Sequence, residues 1–478
     1  MATNETSPDA PPRIAIAGAT GFVGSALRRS LAGRYRIRGL TRSPVRAAGP
    51  DVEWRRCDLF RLQEVTEALR ECDVALYLVH SMSPSSRLTQ ADFADLDLLM
   101  ADTFRRAVEA AGVRHIVFLS GLVPAEEDLS KHLASRLEVE EALAAGPVPV
   151  TTLRAGLIVG PGGSSFRVMA NLVRRLPAMI LPRWTRSATQ PISLDDVVRA
   201  FEIVLAEPGA FVGRFDIGGP DRMSYKEMMR RTAAVMGRRI VMVDVRAFSP
   251  RLSVAWVSLF GGEPRALVGP LVDSLRHDML AGGNPLQERL SGELVPFESA
   301  VRRSLDASEE DRNRKEGGRR LDGAPGSEVR RRSRVRSVQR FPLPPGTTAG
   351  WVAREFLRRV PNFVRPFVRV RPRARGEFVF LLSPFGLPML ELSLDRRASR
   401  RERRVYRITG GALTHRGEPE GRMEFRAMPD GRSVLVAVHD YAPSLPWYLY
   451  DLTQARAHLM VMRAFGRYLR RVADRRRG

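Results

Sequence analysis

The chain has 478 residues, of which 44% are hydrophobic and 27% are charged. This balance excludes a collagen-like or wholly disordered protein, and the length allows more than one domain. The two cysteines, Cys57 and Cys72, are too few for a disulfide framework, and we expect both to be buried free thiols. No stretch reaches the roughly 18 apolar residues that cross a bilayer, and residues 1–11 do not resemble a secretory signal. We therefore expect a cytoplasmic protein whose residues 1–11 are disordered.

The net charge of +24 is unevenly distributed along the chain. Residues 1–300 carry 37 basic and 34 acidic side chains, whereas residues 301–478 carry 40 basic and 19 acidic ones. Such an excess would suit a nucleic acid or an anionic membrane surface. However, the arginine run at 330–334 lacks the interleaved aromatic residues that single-strand binding employs. We expect a small-molecule substrate, no specific nucleic-acid partner and at most weak peripheral membrane contact, and the oligomeric state stays open.

Short apolar runs alternate with amphipathic segments over the first 300 residues. The runs are rich in Val, Ile and Leu, which predicts strands buried on both faces of a parallel sheet. Strands that alternate with helices of this length are typical of a doubly wound α/β fold. The predicted strands are 13–18, 35–40, 74–79, 115–120 and 150–159, and the predicted helices are 22–31, 62–70, 91–111 and 129–144.

The character of the chain changes after residue 303. Residues 304–336 are charged and poor in apolar side chains, which predicts a mostly disordered linker between domains over 12–303 and 337–478. The last part predicts an α+β domain with an antiparallel sheet. Its predicted strands are 337–341, 377–382, 389–394, 404–409, 422–428 and 433–441, and its predicted helices are 349–359 and 445–472.

The strongest chemical signal is the segment AGATGFVG at residues 17–24, which follows a predicted strand and opens a predicted helix. Gly18 allows a tight turn, Gly21 allows a pyrophosphate to approach the backbone, and Gly24 lets the helix pack closely on the strand. The N–H groups at the start of the helix suit phosphate oxygens. The residues expected to contact a dinucleotide here are Gly18, Thr20, Gly21, Phe22, Val23 and Gly24.

Two further positions bear on the cofactor. Arg42 ends the second strand, where an acidic residue would bind the ribose 2′-hydroxyl of NAD. An arginine suits a 2′-phosphate instead, which favours NADP, with NAD as the alternative. Asp58, ahead of the predicted helix 62–70, would either bind the adenine amino group or cap that helix. The sequence shows no metal-ligand spacing, so we expect no metal.

The motifs resemble a known family. AGATGFVG, the CDL at 57–59 and PISLDDVVRAF at 191–201 resemble the extended and atypical short-chain dehydrogenase/reductases (SDRs). YLVHSM at 77–82 and LRAGLIVGPGGSSF at 153–166 are similar to the NmrA-like and complex I accessory-subunit-like members. The resemblance covers roughly residues 12–300. It implies a Rossmann domain with a small substrate lobe, and loop 160–163 either flanks the nicotinamide or is a plain loop.

The catalytic motif of that family is altered in this chain. The family pairs a serine with Tyr-x-x-x-Lys, and here Ser120 stands at the expected strand end while His132 and Arg136 replace the tyrosine and the lysine. A neutral histidine can relay a proton, and an arginine can hold ribose hydroxyls. His132 would otherwise be an inert helix residue. His80, directly after the predicted strand 74–79, would either line the nicotinamide pocket or cap the strand.

These residues predict an NADP-dependent oxidoreductase acting on a carbonyl or quinone-like molecule. The alternative is a non-catalytic dinucleotide-binding sensor or assembly protein, and a nucleotide-sugar epimerase is less favoured because the tyrosine is missing.

The element order of residues 337–478 resembles the START-like (SRPBCC) helix-grip fold, which implies a module for a hydrophobic ligand. We nevertheless expect the aromatic and Met-rich segment 441–462 to be plain core, and His439 and His458 to be structural.

Overall fold

The computed structural model divides the chain into two compact units. The first comprises Met1–Met82 and Met100–Arg320, and the second comprises Ser83–Leu99 and Leu321–Gly478. Residues 83–99, which the sequence pattern places in the first domain, therefore belong to the second unit. Among the described residues, no helix has the length and apolar character needed to span a bilayer. The structure describes residues 11–42, 51–80, 89–124, 128–245, 257–258, 269, 272–317, 335–373, 376–415, 421–445, 450 and 453–477.

The first unit is built on a seven-stranded, fully parallel sheet in the order β7-β6-β5-β4-β1-β2-β3. This confirms the doubly wound α/β prediction. The central strands are buried on both faces, and Ile14, Ala15 and Ile16 have no exposed surface, as apolar runs in a parallel sheet require. The strands are β1 (Arg13–Ala17), β2 (Arg36–Thr41), β3 (Val52–Arg56), β4 (Val74–Tyr77), β5 (His115–Gly121), β6 (Val150–Ala155) and β7 (Gly213–Ile217).

Helices and short strands complete the first unit. The helices are α1 (Phe22–Leu31), α2 (Leu62–Leu69), α3 (Phe93–Ala111, of which residues 93–99 belong to the second unit), α4 (Lys131–Ala144), α5 (Ser164–Arg175), α6 (Leu194–Ala206), α7 (Tyr225–Val235), α8 (Pro285–Leu290) and α9 (Phe297–Gly317). Single 3₁₀ turns lie at Arg183–Arg186 and Ser291–Glu293. Short paired strands are Ile158–Val159 with Ile192–Ser193, Ala178–Leu181 with Val241–Asp244, and Ala188–Thr189 with Met223–Ser224.

Two sequence-based boundaries in this unit are wrong. The run 150–159 forms two strands in different sheets, because a Cβ atom at Gly156 would lie 2.7 Å from the Gln190 carbonyl oxygen, so the backbones meet there. The supposed linker begins as helix, since α9 continues from its packed start at Phe297 through residue 317. Extending a helix that is already nucleated costs little, even for a charged sequence. The remainder of the linker, at 318–334, lies outside the described residues.

The second unit contains the separate antiparallel sheet that the sequence predicts. The short strand Thr89–Gln90 adds to its edge in parallel with β8 (Val335–Pro342), which places part of residues 83–99 in this sheet. The sheet order is β9-β10-β11-β12-β13-β14-β8, followed by Thr89–Gln90. The strands are β8 (Val335–Pro342), β9 (Val368–Arg373), β10 (Glu377–Leu382), β11 (Leu387–Leu394), β12 (Arg403–Gly410), β13 (Arg422–Ala427) and β14 (Ser433–Tyr441).

Two helices pack on one face of this sheet. They are α10 (Ala349–Phe363) and α11 (Gln454–Arg477). The Phe356 ring of α10 lies 5.5 Å from Phe425 of β13 and 5.1 Å from Phe465 of α11, so helices and sheet share one core. Strand β9 is absent from the sequence-based prediction. The described part of α11 begins at residue 454, and residues 446–449 and 451–452 of the predicted helix 445–472 lie outside the described residues. The likeness to the START-like fold stays a prediction.

Candidate active site

The glycine segment forms the tight turn that its sequence predicts. Gly18 adopts a φ of +92°, and its carbonyl oxygen accepts a hydrogen bond of 2.9 Å from the Gly21 N–H. A Cβ atom at Gly24 would lie only 2.2 Å from the Gly18 oxygen. Only hydrogen fits in that space, so the glycines are required for α1 to pack this closely on the turn.

The start of α1 fits a dinucleotide phosphate. Gly21 is the N-cap and supplies no side chain to the helix N–H groups. Thr20 and Gly21 are exposed, whereas Val23 and Gly24 are buried beneath them and Phe22 is half-buried. A Cβ at Gly163 would lie 3.0 Å from the Phe22 ring, so loop 160–163 packs beside this turn. Gly21 therefore supplies no side chain that would compete with a phosphate for the first-turn N–H groups.

Arg42 stands at the carboxyl end of β2, next to β1 in the sheet. Its side chain is exposed, and no ion pair joins it to another described residue. The backbone before it is fixed, because the Thr41 carbonyl accepts a hydrogen bond of 2.9 Å from the Cys57 N–H. The guanidinium is thus available for a 2′-phosphate, and its role stays a prediction.

Asp58 is engaged in a local turn. Its Oδ1 accepts a hydrogen bond of 3.1 Å from the Phe60 N–H, and its own N–H donates to Glu64 Oε2 at 3.0 Å. The N-cap of α2 is Arg61 rather than Asp58. Asp58 therefore stabilises the turn that leads into α2, as Asx turns do, and adenine recognition by this residue stays a prediction.

The structure brings two of the candidate residues, His80 and His132, into direct contact. His80 follows β4 and His132 lies in the first turn of α4, and His80 Nε2 is 3.3 Å from His132 Nδ1. The rings stack with centroids 5.0 Å apart and planes inclined by 22°. The Ser130 hydroxyl caps α4 by accepting from the Leu133 N–H at 3.3 Å, which fixes this turn. Each histidine therefore restricts the orientation of the other.

The environment of His132 favours its neutral form. Burial lowers the pKa of His132 to about 3, and the nearby His80 and Arg136 add to that effect. Arg136 is buried, its guanidinium lies 4.6 Å above the Phe118 ring, and it donates to the Leu119 carbonyl. These contacts tie α4 to the carboxyl end of β5. A ribose contact by Arg136 stays a prediction.

Ser120 lies near the end of β5 and is buried. Its hydroxyl oxygen has no hydrogen-bond partner among the residues that the structure describes, and the same holds for Ser135 on α4. A buried hydroxyl without a partner carries a desolvation cost that a bound polar group can relieve. A substrate contact by Ser120 stays a prediction.

A largely apolar cavity of about 220 Å³ opens beside His132. Its wall comes from the end of β5, from α4, α5 and α7, and from the 3₁₀ turn Arg183–Arg186. The polar side chains in the described wall are those of His132, Ser165, Trp184, Tyr225 and Ser274. The sequence analysis identified only His132 among them. Trp184 and Tyr225 form an edge-on aromatic pair with centroids 6.2 Å apart, and burial raises the pKa of Tyr225 to about 12.

Neither cysteine is a candidate nucleophile. Cys57 and Cys72 are buried free thiols, as expected. Burial raises their pKa values, to about 12 and about 11, so neither is a nucleophile at neutral pH. The described residues contain no group of three or more His, Cys, Asp or Glu side chains that could hold a metal.

Comparison with known proteins agrees with the glycine turn and the sheet order. Residues 14–218 match the NAD dependent epimerase/dehydratase family. This match covers less than half of the chain and lies mostly in the first unit, whose parallel sheet is Rossmann-like. A nucleoside-diphosphate-sugar epimerase structure from Staphylococcus aureus shares this fold, with a TM-score of 0.50 at 15% identity, over 61% of this chain and 99% of that chain.

Two curated relatives are similar in sequence. Ceramide reductase of Caulobacter vibrioides (strain NA1000 / CB15N) is 28% identical over 289 residues, which are 59% of this chain and 89% of the relative. Auxiliary protein GraX of Staphylococcus aureus (strain NCTC 8325 / PS 47) is 29% identical over 112 residues, which are 23% of this chain and 36% of the relative. The chain thus spans about a third of the length of the second relative.

Proposed function

We propose that the first unit is an NADP-dependent oxidoreductase that acts on the carbonyl group of an apolar small molecule. The observation that carries this proposal is the position of His132, which contacts His80 and also lines the apolar cavity. The Caulobacter relative, named Ceramide reductase, supports a reductase that accepts an apolar substrate. Arg42 supports NADP over NAD.

The residues present fit a nicotinamide dinucleotide. The glycine turn and the start of α1 would hold its pyrophosphate, and Arg42 would hold the 2′-phosphate. The chemistry that this cofactor supplies when bound is hydride transfer. The chain itself must bind the apolar part of the substrate, exclude water and handle one proton.

His132 handles that proton as a neutral imidazole. If His80 donates from Nε2 to His132 Nδ1, the proton of His132 resides on Nε2 and can be given to the substrate oxygen. As His132 Nδ1 takes the proton of His80, the partly exposed His80 gains a proton from solvent at Nδ1, so both rings end neutral and neither an imidazolate nor an imidazolium forms. Ser120 would orient the carbonyl with its hydroxyl, and Arg136 is a positioning residue that holds α4 against β5.

The test compares His132→Phe with wild type in a screen of NADPH oxidation with long-chain ketones and quinones. We expect a loss of turnover of roughly 100-fold, the usual size of a proton-transfer contribution, with NADPH affinity unchanged. The matched control is His415→Phe, an exposed histidine of the second unit, which should retain activity. Full activity of His132→Phe would overturn the assignment.

A non-catalytic dinucleotide-binding protein is the second candidate. The observation that favours it is Arg136, whose guanidinium is occupied by the Leu119 carbonyl and the Phe118 ring. NADPH binding without turnover of any carbonyl or quinone in the screen would support this alternative. A nucleotide-sugar epimerase is less favoured, because the largely apolar wall beside His132 offers few partners for sugar hydroxyls.

A further inference from the structure

The second unit contains a cavity of its own, of about 270 Å³. It lies between the sheet and the helices α10 and α11, and its described wall contains no Asp, Glu, Lys or Arg. Apolar side chains dominate this wall, including Phe356, Phe380, Met389 and Met423. Part of the segment 441–462 therefore lines a cavity, which corrects the expectation that it is plain core.

The cavity has a polar side built from one strand pair and one helix turn. Strands β8 and β14 are neighbours, with Val335 opposite Tyr441, and Ser337 follows on β8. Gln454 and His458 are four residues apart on α11, so they share a helix face. Ser337 Oγ is 3.1 Å from His458 Nε2, and the Tyr441 hydroxyl is 3.5 Å from Gln454 Oε1. Each contact joins the sheet to α11 at the cavity wall.

The Tyr441 and Ser337 hydroxyls differ in how strongly they are hydrogen-bonded within the protein. Tyr441 donates to the Leu413 carbonyl at 2.6 Å, a short and well-formed bond. Ser337 is almost fully buried, and its second contact is a long one of 3.4 Å to the Gln90 carbonyl. A hydroxyl carries one proton, so Ser337 can donate to either Gln90 or His458. Ser337 and His458 therefore retain capacity for a ligand oxygen.

The site offers no charge to a ligand. Burial lowers the pKa of His458 to about 4, so the ring is neutral at physiological pH. A buried carboxylate or ammonium would lose its hydration without an opposite charge in the described wall, which is costly. A neutral ligand avoids that cost.

We propose that this cavity binds a neutral, mostly apolar molecule and places one hydroxyl or carbonyl oxygen of that molecule at Ser337 and His458. An apolar protein cavity of ~150 Å³ holds one benzene ring. By that scale, this cavity accommodates roughly ten to twelve non-hydrogen atoms. The site is separate from the proposed carbonyl chemistry and does not depend on it.

The test uses 2-naphthol and its hydroxyl-free counterpart naphthalene as fluorescent probes on the full chain. Val168 lines the first cavity and Val461 lines the second, and both are half-buried. We expect 2-naphthol to bind the Val168→Trp variant at one site and to lose that site in the Val168→Trp/Val461→Trp double variant. No binding by the single variant, or undiminished binding by the double variant, overturns the proposal.

Ser337→Ala tests the polar contact with a small substitution that leaves the cavity shape intact. In the Val168→Trp background, it should weaken 2-naphthol binding about 3- to 10-fold, the size of one hydrogen bond. Naphthalene affinity should stay within about 2-fold, because naphthalene cannot make that bond. An equal loss for both probes, or no loss for 2-naphthol, would contradict the role of Ser337.

Discussion

His80 and His132 stack face to face, and His80 Nε2 lies 3.3 Å from His132 Nδ1. This contact uses one nitrogen of the His132 ring, and His132 also lines the adjacent cavity. It also joins the end of β4 to the first turn of α4, which follows β5. Both lie at the carboxyl edge of the sheet. Ligands of open α/β folds bind at that edge.

Removal of the Arg42 guanidinium should change cofactor preference. In Arg42→Ala, we expect NADPH to bind about 10-fold more weakly because one charge-assisted contact is lost, while NADH binding is unchanged. Titration of both dinucleotides measures this. The control is Arg36→Ala, an exposed arginine at the opposite end of the same strand. Unchanged NADPH affinity in Arg42→Ala would exclude the phosphate role.

Gly24→Ala should damage both the fold and the dinucleotide site. The added methyl group would lie 2.2 Å from the Gly18 oxygen, so α1 must move away from the turn. Overpacking of this kind costs about 1–3 kcal/mol of stability, and the helix start would no longer face the phosphates. Thermal unfolding and NADPH titration measure the two effects. Gly209→Ala, where nothing lies within 4 Å of the added methyl, should leave both unchanged.

Ser120 and Ser135 form a matched pair for testing a catalytic hydroxyl. Both are buried, and neither hydroxyl has a partner among the described residues, so alanine should cost little stability at either position. We expect Ser120→Ala to lower kcat about 100-fold, as the loss of one donor to a developing oxyanion does. Ser135→Ala should retain kcat. Equal activity of the two variants would argue against Ser120.

Acid should destabilise the protein through its buried histidines. The pKa values of His132 and His458 are lowered to about 3 and about 4 in the folded state. In the unfolded chain these rings become protonated below the ordinary histidine pKa of about 6.5, whereas in the folded chain they stay neutral to a much lower pH. The unfolding free energy therefore falls as pH drops from about 6.5 to 4, by at most about 1.4 kcal/mol per pH unit for each ring. Above pH 6.5 neither ring contributes.

Thermal unfolding of His132→Gln and His458→Gln between pH 7.5 and pH 4.5 measures this effect. Each variant should lose less stability on acidification than wild type does. His415→Gln removes an exposed histidine and should follow the wild-type curve. If the stability of all three variants changed with pH as that of wild type does, the buried rings would not set the pH dependence of stability.

Much of the fold was readable from the sequence because its determinants are local. The first four predicted strands and all four predicted helices of the first unit agree with the structure within two residues at each end. Apolar runs bounded by turns identify buried parallel strands. The glycine turn is local as well, since Gly18, Gly21 and Gly24 act through steric contacts within a few residues.

The errors arose where distant parts of the chain decide the local structure. Gly156 ends β6 because the Gln190 backbone approaches it. The charged segment after 303 starts as helix because it continues α9, whose first residues, from Phe297, are packed in the core. Residues 89–90 pair with β8, almost 250 positions later in the chain, and no local pattern indicates such a partner.

The sequence by itself determined the dinucleotide turn, the order of most strands and helices, and the identity of Ser120, His132 and Arg136 as candidates. Only the tertiary structure decided that His80 contacts His132, that an apolar cavity lies beside them, and that Ser337 meets His458 at a second cavity. These pairs are 52 and 121 residues apart. Their contacts follow from strand order and helix packing, which residue spacing along the chain does not encode.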